Sequence, residues 1–511
     1  MTTTSSTDSD LATDGEASGG AANHGEATAS PPGGDSRARR RFPRRRRART
    51  GAESPAAGEH GEGDGADATV DEGPGTGTSD GDAAVTDVSS EAPARVPDAP
   101  PSPPADESPA DKSPLRLLPP PDGSGLSHWK RVDADAAEWF DEEEIQQGRA
   151  YNRPIGRLNR VRQALGVIVL IALVVGEVAP RVLEALDLSG WVLELLAVLV
   201  LFEAVNLVYS PWFSAYRSLL YDRRWGQSTQ TAGGLVLDEV KGTVVNLVLL
   251  SALLVPLYAV IRATDLWWLF GWLIFSGFTV LLGLLYPVVI APIFNQFEPL
   301  GDKVLRDRLL TLARRLDLDV NEVLVTDASK RSVAGNAYVA GLGKTRRVVL
   351  FDTILDWSHD AIEQVVAHEL GHWHHRHLRR KLPVLLAFQL VTFIATWAVL
   401  RSDALLEVAG VAQLGDPASL PLFLAVFPLS FVLTTLVSSW LSRVDERQAD
   451  LFALGTLGDP QAFTELFRRV AERNKADVDP SCWKRITASH PPVAERLAMA
   501  GRWGGGRHNA P

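Results

Sequence analysis

From Leu165 onward the chain alternates between long apolar runs and short polar connections, a pattern that predicts helices crossing a bilayer. A span needs about 20 mostly apolar residues. Runs of that kind lie at roughly 163–181, 191–210, 243–262, 266–290, 382–400 and 419–440. The second and fourth, "WVLELLAVLVLFEAVNLVY" and "LWWLFGWLIFSGFTVLLGLLYPVV", are the clearest, while Glu177 falls near the end of the first. Buried helices of a large soluble protein do not come in six runs of this length. Glu194, Glu203 and Asn206 interrupt the second run. Polar groups at that depth face a bundle interior or water, so they either line an aqueous chamber or bond between helices.

Basic residues orient the spans, because cytoplasmic connections carry the excess of Lys and Arg. Arg149, Arg153, Arg157, Arg160 and Arg162 precede the first run. Arg217, Arg223, Arg224 and Lys241 fall in the 211–242 connection, and a larger group, from Lys303 to Lys381, lies in 293–381. The 401–418 connection has Arg401 against Asp403, Glu407 and Asp416. Both termini and the 293–381 segment are therefore expected in the cytoplasm, in a multi-pass cell (plasma) membrane protein.

Residues 1–125 differ from everything after them. They are rich in Ala, Gly, Pro, Ser, Thr, Asp and Glu and nearly free of aromatics, so they cannot bury enough apolar surface to offset the entropy of ordering. A disordered tail is expected, with no secretory signal at its start. Within it, "RARRRFPRRRRAR" (Arg37–Arg49) is a polybasic run. It suits contact with anionic lipid headgroups, at about 1 kcal/mol per basic residue near the surface. The same electrostatics allow contact with nucleic acid, although no specific nucleic-acid partner is expected, and a merely solvated charge block is the plain alternative. Cys482 is the one cysteine, which excludes a disulfide framework and leaves His and carboxylate as metal ligands.

The chemistry concentrates in "VVAHELGHWHHRH" (Val365–His377), which holds five of the eleven histidines. "HELGH" fits H-E-x-x-H, a pattern that arises by chance in about 1–2% of chains of this composition. Ser358 can cap a helix here, Asp360 and Glu363 suit its first turn, and Ile362, Val365, Val366 and Leu370 form an apolar stripe. Residues four apart share a helix face, so His368 and His372 can bind one ion, with Glu369 beside it as a base for the water that the ion activates. His374, His375 and His377 lack that spacing and read as interfacial polar residues. After the last run, "SRVDERQADLFAL" offers Glu446 as a third ligand and Asp450, four residues on, as a hydrogen-bond partner for a ligand imidazole. Alone, such a carboxylate pair more often decorates a solvated face.

Five segments in order carry a more specific signal: "PIFNQFEPL" (Pro292–Leu300), "GNAYVAGLGKTRRVVLFDTIL" (Gly335–Leu355), "HELGH", "SRVDERQAD" (Ser442–Asp450) and "SHPPVAERL" (Ser489–Leu497). From about Phe140 to Trp503 the chain resembles the integral-membrane zinc endopeptidases of the CaaX prenyl protease type I family. The resemblance implies one zinc ion per chain, held by His368, His372 and Glu446, with Glu369 as the base. It implies that Asn336, Ala337 and Tyr338, on a strand Asn336–Val339, hold the substrate backbone as an added strand. It implies that His490 stabilises the oxyanion and that Arg496 supports it or the substrate. Spacing alone makes His490 and Arg496 surface residues and Asn336 a turn residue.

The expected fold is mainly α: a polytopic α-helical membrane protein of about six spans, with a zincin-like α+β metalloprotease domain carrying a small β-sheet. The expected order is the tail, a four-span region at 126–292, a first catalytic part at 293–381, two spans at 382–440, a second catalytic part at 441–503, and a flexible end at 504–511. The family has seven spans, and the missing one corresponds to the first. The expected function is zinc-dependent endopeptidase action at the cytoplasmic membrane face, on peptides or membrane-associated proteins. Two alternatives stand beside it: a membrane quality-control protease of the HtpX type, and a non-catalytic scaffold with a structural zinc.

Overall fold

The computed structural model describes residues 115, 117–121, 124–341 and 346–508. The Arg37–Arg49 run and most of the tail lie outside them. Leu115 and Leu118, expected in that tail, donate their backbone N–H groups to Arg315 O at 3.2 Å and Gly455 O at 2.9 Å.

Helix α1, Glu142–Val175, starts at a closed capping box: Asp141 accepts from the Glu144 N–H at 2.7 Å, and Glu144 accepts from the Asp141 N–H at 2.9 Å. It ends before Glu177, whose left-handed φ of 46° starts a separate helix at Val178–Leu186. The expected run 163–181 is thereby corrected, since hydropathy carried it across a backbone break. Helix α2, Trp191–Ala215, continues through a π-helical turn at Tyr216–Tyr221, and α3 is Ala232–Ala263. Helix α4, Trp267–Leu285, is extended by a second π-helical turn at Tyr286–Ile290, which contains Pro287. Among the described residues, five helices are long and apolar enough to cross a membrane, the fifth being His377–Leu400. A sixth follows if Pro417–Leu429 and Thr434–Leu457, bent by 44°, count together. Pro428, in the last turn before that break, supplies no N–H to the helical ladder.

The membrane helices share an apolar core that includes Leu195, Leu199, Leu257, Tyr258, Phe393 and Phe423. Within it, Glu203 is buried and accepts from Asn246 Nδ2 at 3.2 Å, so this carboxylate bonds between α2 and α3. That is the second of the two roles open to it from sequence.

The other half is built on a four-stranded sheet of β1 (Phe297–Pro299), β2 (Glu322–Thr326), β3 (Ala337–Ala340) and β4 (Arg347–Phe351), in the order β1-β2-β4-β3. The β2–β4 pair is parallel and the outer pairs are antiparallel. Val348, Val349 and Leu350 are buried on both faces of β4, as a central strand requires. Strand β3 lies at an edge. It begins one residue after Asn336, whose carbonyl still accepts from the Phe351 N–H at 3.0 Å.

Helix α5 (Lys303–Arg315) covers the sheet through Leu305, Leu309 and Leu312. Helix α6 (His359–His374) packs against the same core, with Ile362, Val366 and Leu370 inward. Ser358 caps it by accepting from the Ala361 N–H at 3.3 Å, and Arg308 reaches Asp360 at 2.6 Å in its first turn. Arg376, at φ 54°, then turns the chain into helix α7 (His377–Leu400). The histidine cluster thus lies where a soluble-type helix meets a membrane helix, and this is why it sits between two apolar runs. Helix α8 (Phe431–Leu457) returns alongside α6, followed by α9 (Pro460–Arg473) and α10 (Val493–His508). Residues 504–508, expected as a flexible end, are helical.

Candidate active site

His368 and His372 point their Nε2 atoms to one place from α6, 3.2 Å apart. Glu446, from α8, brings Oε2 to 3.2 Å from His368 Nε2 and Oε1 to 3.4 Å from His372 Nε2. A tetrahedral zinc with bonds of about 2.0–2.1 Å needs ligand atoms roughly 3.3–3.4 Å apart, which this triangle provides. All three residues are buried, and among the described residues they form the one such cluster. Glu446 Oε2 is buried without a hydrogen-bond partner.

Tautomers sharpen the fit. His368 Nδ1 lies 2.9 Å from Asp450 Oδ1 and so donates its proton outward. His372 Nδ1 lies 2.8 Å from the Nδ1 of His377. His368 Nε2 then presents a lone pair, facing a Glu446 oxygen that does the same. Such a set calls for a cation. The charge balance agrees: burial depresses His368, yet the adjacent carboxylates of Asp450 and Glu446 outweigh it and raise the ring to about 9. The site therefore favours positive charge where a metal would sit.

Glu369 follows His368 on α6 and lines a cavity of about 680 Å³. Burial is the main cause that pushes its carboxyl up to about 7, with Glu446 adding to it and the His368 and Arg496 charges opposing. A group poised there can both take and release a proton near neutrality. The cavity wall also includes Asn336 and Ala337 of the edge-strand segment, Glu446 and His490, and reaches Tyr151 of α1 and Phe213 of α2. One open volume therefore joins the membrane helices to the metal-ligand triangle.

The curated relatives and solved structures agree with this geometry. Residues 299–503 match Peptidase family M48, and residues 126–296 match the family described as CAAX prenyl protease N-terminal, five membrane helices. The chain is 27% identical to CAAX prenyl protease 1 homolog of Oryza sativa, over 70% of this chain and 87% of that one. It is 30% identical to CAAX prenyl protease 1 of Saccharomyces cerevisiae, over 59% of this chain and 71% of the relative.

The chain belongs to the CaaX prenyl protease family of M48 peptidases. It is a multi-pass membrane metalloprotease. The crystal structure of Ste24p from S. mikatae shares the fold, with a TM-score of 0.65 at 23% identity over 73% of this chain and 93% of that one. The membrane half departs from the family's description. Among the described residues, the stretch that matches a five-helix region carries four helices long enough to span.

Asp450, His368 and Arg496 form a connected set at one side of the triangle. Arg496 donates through Nε to Asp450 Oδ2 at 2.9 Å, through Nη2 to Asp450 Oδ1, and lies 3.8 Å over the Phe467 ring. Spacing alone made Arg496 a surface residue; it is buried, lines the cavity, and clasps Asp450 with its guanidinium. His490 Nε2 stands 3.5 Å from Glu446 Oε1, with Ser489 Oγ 2.8 Å from its Nδ1 and half of its side chain exposed to the cavity side. Asn336 turns its Oδ1 back onto the Ala337 N–H at 3.0 Å, while Tyr338 pairs with Val349 in the sheet.

Sequence reasoning left His377 among interfacial polar residues, without a part in the site. Only 1% of it is exposed, and it bonds His372. Of its neighbours, His374 is exposed and His375 is half-buried.

Proposed function

We propose that the protein is a zinc-dependent endopeptidase that cuts peptides at the cytoplasmic face of the cell membrane. The observation that carries this reading is the His368–His372–Glu446 triangle, spaced for one tetrahedral ion and opening onto a cavity that contains Glu369. Zinc bound there supplies Lewis acidity, which acidifies water and polarises a peptide carbonyl. Glu369 takes the proton of the attacking water and returns it to the leaving amine, so that the C–N bond breaks and the chain ends as carboxylate and amine. His490, at the cavity wall, donates to the oxyanion that develops on the carbonyl. Asn336, Ala337 and Tyr338 grip the substrate backbone along the outer edge of β3, where an extended peptide adds as a further strand. Asp450 fixes the tautomer of His368, and Arg496 holds Asp450.

A peptide that carries a lipid suits a cavity walled by membrane helices as well as by the catalytic half. Release of the terminal tripeptide from a farnesylated CaaX peptide is therefore the expected reaction. The run of basic residues at 149–162, 211–242 and 293–381 supports the cytoplasmic orientation.

The experiment compares the wild-type protein with Glu369→Gln on a farnesylated CaaX peptide and on an unfolded membrane reporter. Zinc content is expected to stay equal while tripeptide release falls about 10²–10⁴-fold or more. Unchanged hydrolysis by the variant removes the proposed base. Cleavage of the reporter alone removes the substrate assignment and leaves the quality-control alternative in its place.

A further inference from the structure

His377 is the first residue of α7, and the left-handed turn at Arg376 folds it back against α6. Its Nδ1 lies 2.8 Å from His372 Nδ1. At that separation one ring must donate and the other accept. A metal at the triangle takes the lone pair of His372 Nε2, so a neutral His372 carries its proton on Nδ1 and is the donor. His377 then accepts at Nδ1 and keeps its own proton on Nε2.

The far side of the ring gives the same assignment independently. His377 Nε2 lies 3.1 Å from Gln448 Oε1, and Arg380 Nη1 donates to that same oxygen at 3.1 Å. Arginine only donates, so the atom is an acceptor and the His377 Nε2 must be the donor. Gln448 Nε2 meanwhile faces His375 Nδ1 at 3.1 Å, where that ring nitrogen can accept. Asp445 Oδ1 stands 3.7 Å from the same ring nitrogen, and Lys381 Nζ is 3.2 Å from Asp445 Oδ2. Gln448 and Asp445 both belong to α8, two residues after and one residue before Glu446. The ring of His377 therefore links the helix that carries two ligands to the helix that carries the third.

We propose that His377 is a positioning residue of the metal centre, which fixes the tautomer and orientation of His372 and ties α6 to α8 through Gln448. The inference rests on the zinc reading above. Outer partners of this kind typically contribute 10–100-fold to metal affinity.

The test measures zinc affinity by chelator competition on the full-length protein in detergent, for wild type, His377→Phe and His377→Asn. Phenylalanine fills the ring volume without an acceptor, and affinity is expected to fall roughly 10–100-fold. Asparagine places an amide oxygen near the position of Nδ1, and affinity is expected to stay within about threefold of wild type. A packing role alone gives the opposite order, because Phe fills the space better. Circular dichroism of the metal-free proteins reports folding. Should His377→Phe not fold, Gln448→Leu leaves the His377 ring in place, removes the acceptor of its Nε2–H together with the contacts to Arg380 and His375, and is expected to weaken zinc about 3–10-fold, being one link further out. Equal affinity in wild type and His377→Phe, or in wild type and Gln448→Leu, overturns the inference while leaving the zinc site intact. Failure of the wild-type protein to bind zinc overturns the metal reading itself.

Discussion

The two imidazoles of α6 sit one turn apart and face the same point, yet they are held by opposite kinds of chemistry. His368 is backed by a carboxylate, Asp450, whose charge is balanced by a bidentate Arg496 lying over Phe467. His372 is backed by an uncharged ring, His377, and behind it by the amide of Gln448. A carboxylate partner makes its imidazole a more basic ligand, while a neutral partner mainly aims it. The cost of failure differs as well. Stripping one ion from a buried pair leaves a bare charge, whereas stripping a neutral acceptor leaves one unsatisfied N–H. The site thus concentrates its electrostatic risk on one side of the metal position and keeps the other side tolerant.

The largest effect is expected where that risk is highest. Asp450, fully buried, is clasped by Arg496 through both of its oxygens, and Arg496 is 8% exposed. Asp450→Ala is expected to cost about 3–5 kcal/mol of stability, because it leaves the buried guanidinium with only the more distant Glu446, at 3.8 Å, as a counter-charge. It also removes the acceptor of His368 Nδ1–H, so zinc affinity should fall roughly 10–100-fold. Thermal unfolding of the detergent-solubilised protein, with and without zinc, measures both. A midpoint equal to that of wild type in the metal-free protein breaks the comparison. The double change Asp450→Ala with Arg496→Met sharpens it: most of the stability should return once the bare charge is gone, while the zinc affinity stays low. Recovery of both together would mean that Asp450 acts only as a counter-ion.

The same contrast explains what could be read from sequence. His368, His372 and Glu369 were legible because the helical period alone puts residues i and i+4 on one face. Glu446 and Asp450 share a face for the same reason, but nothing in their spacing says which other helix that face meets; motif order supplied it. Arg496 was legible as a site residue and not in its direction, since its contact with Asp450 depends on how α10 crosses α8. His377 was hidden for a backbone reason. Its ring reaches His372 only because Arg376 adopts a left-handed conformation, and an arginine there gives no sequence signal, where a glycine would have. The spans were legible from hydropathy, but their π-helical turns at Tyr216–Tyr221 and Tyr286–Ile290 and the break at Glu177 were not, because hydropathy does not report backbone geometry.

The smallest effect tests the neutral side by making it resemble the charged one. Gln448→Glu puts a carboxylate where the amide oxygen accepted from His377 Nε2 and from Arg380, at the cost of the contact with His375. If His377 stays neutral, the new charge polarises its ring, strengthens its hold on His372 and raises zinc affinity about threefold, less than a direct partner gives because one ring intervenes. If the carboxylate instead draws a second proton onto His377, the ring loses its lone pair, its Nδ1–H opposes that of His372, and affinity falls. The expected direction is a gain, since Asp445 and Lys381 already sit beside the ring as a mutually compensated pair and Arg380 offsets the added charge. Chelator competition reads the sign directly, and the sign decides whether the uncharged relay behind His372 is a requirement of the site or an accident of packing.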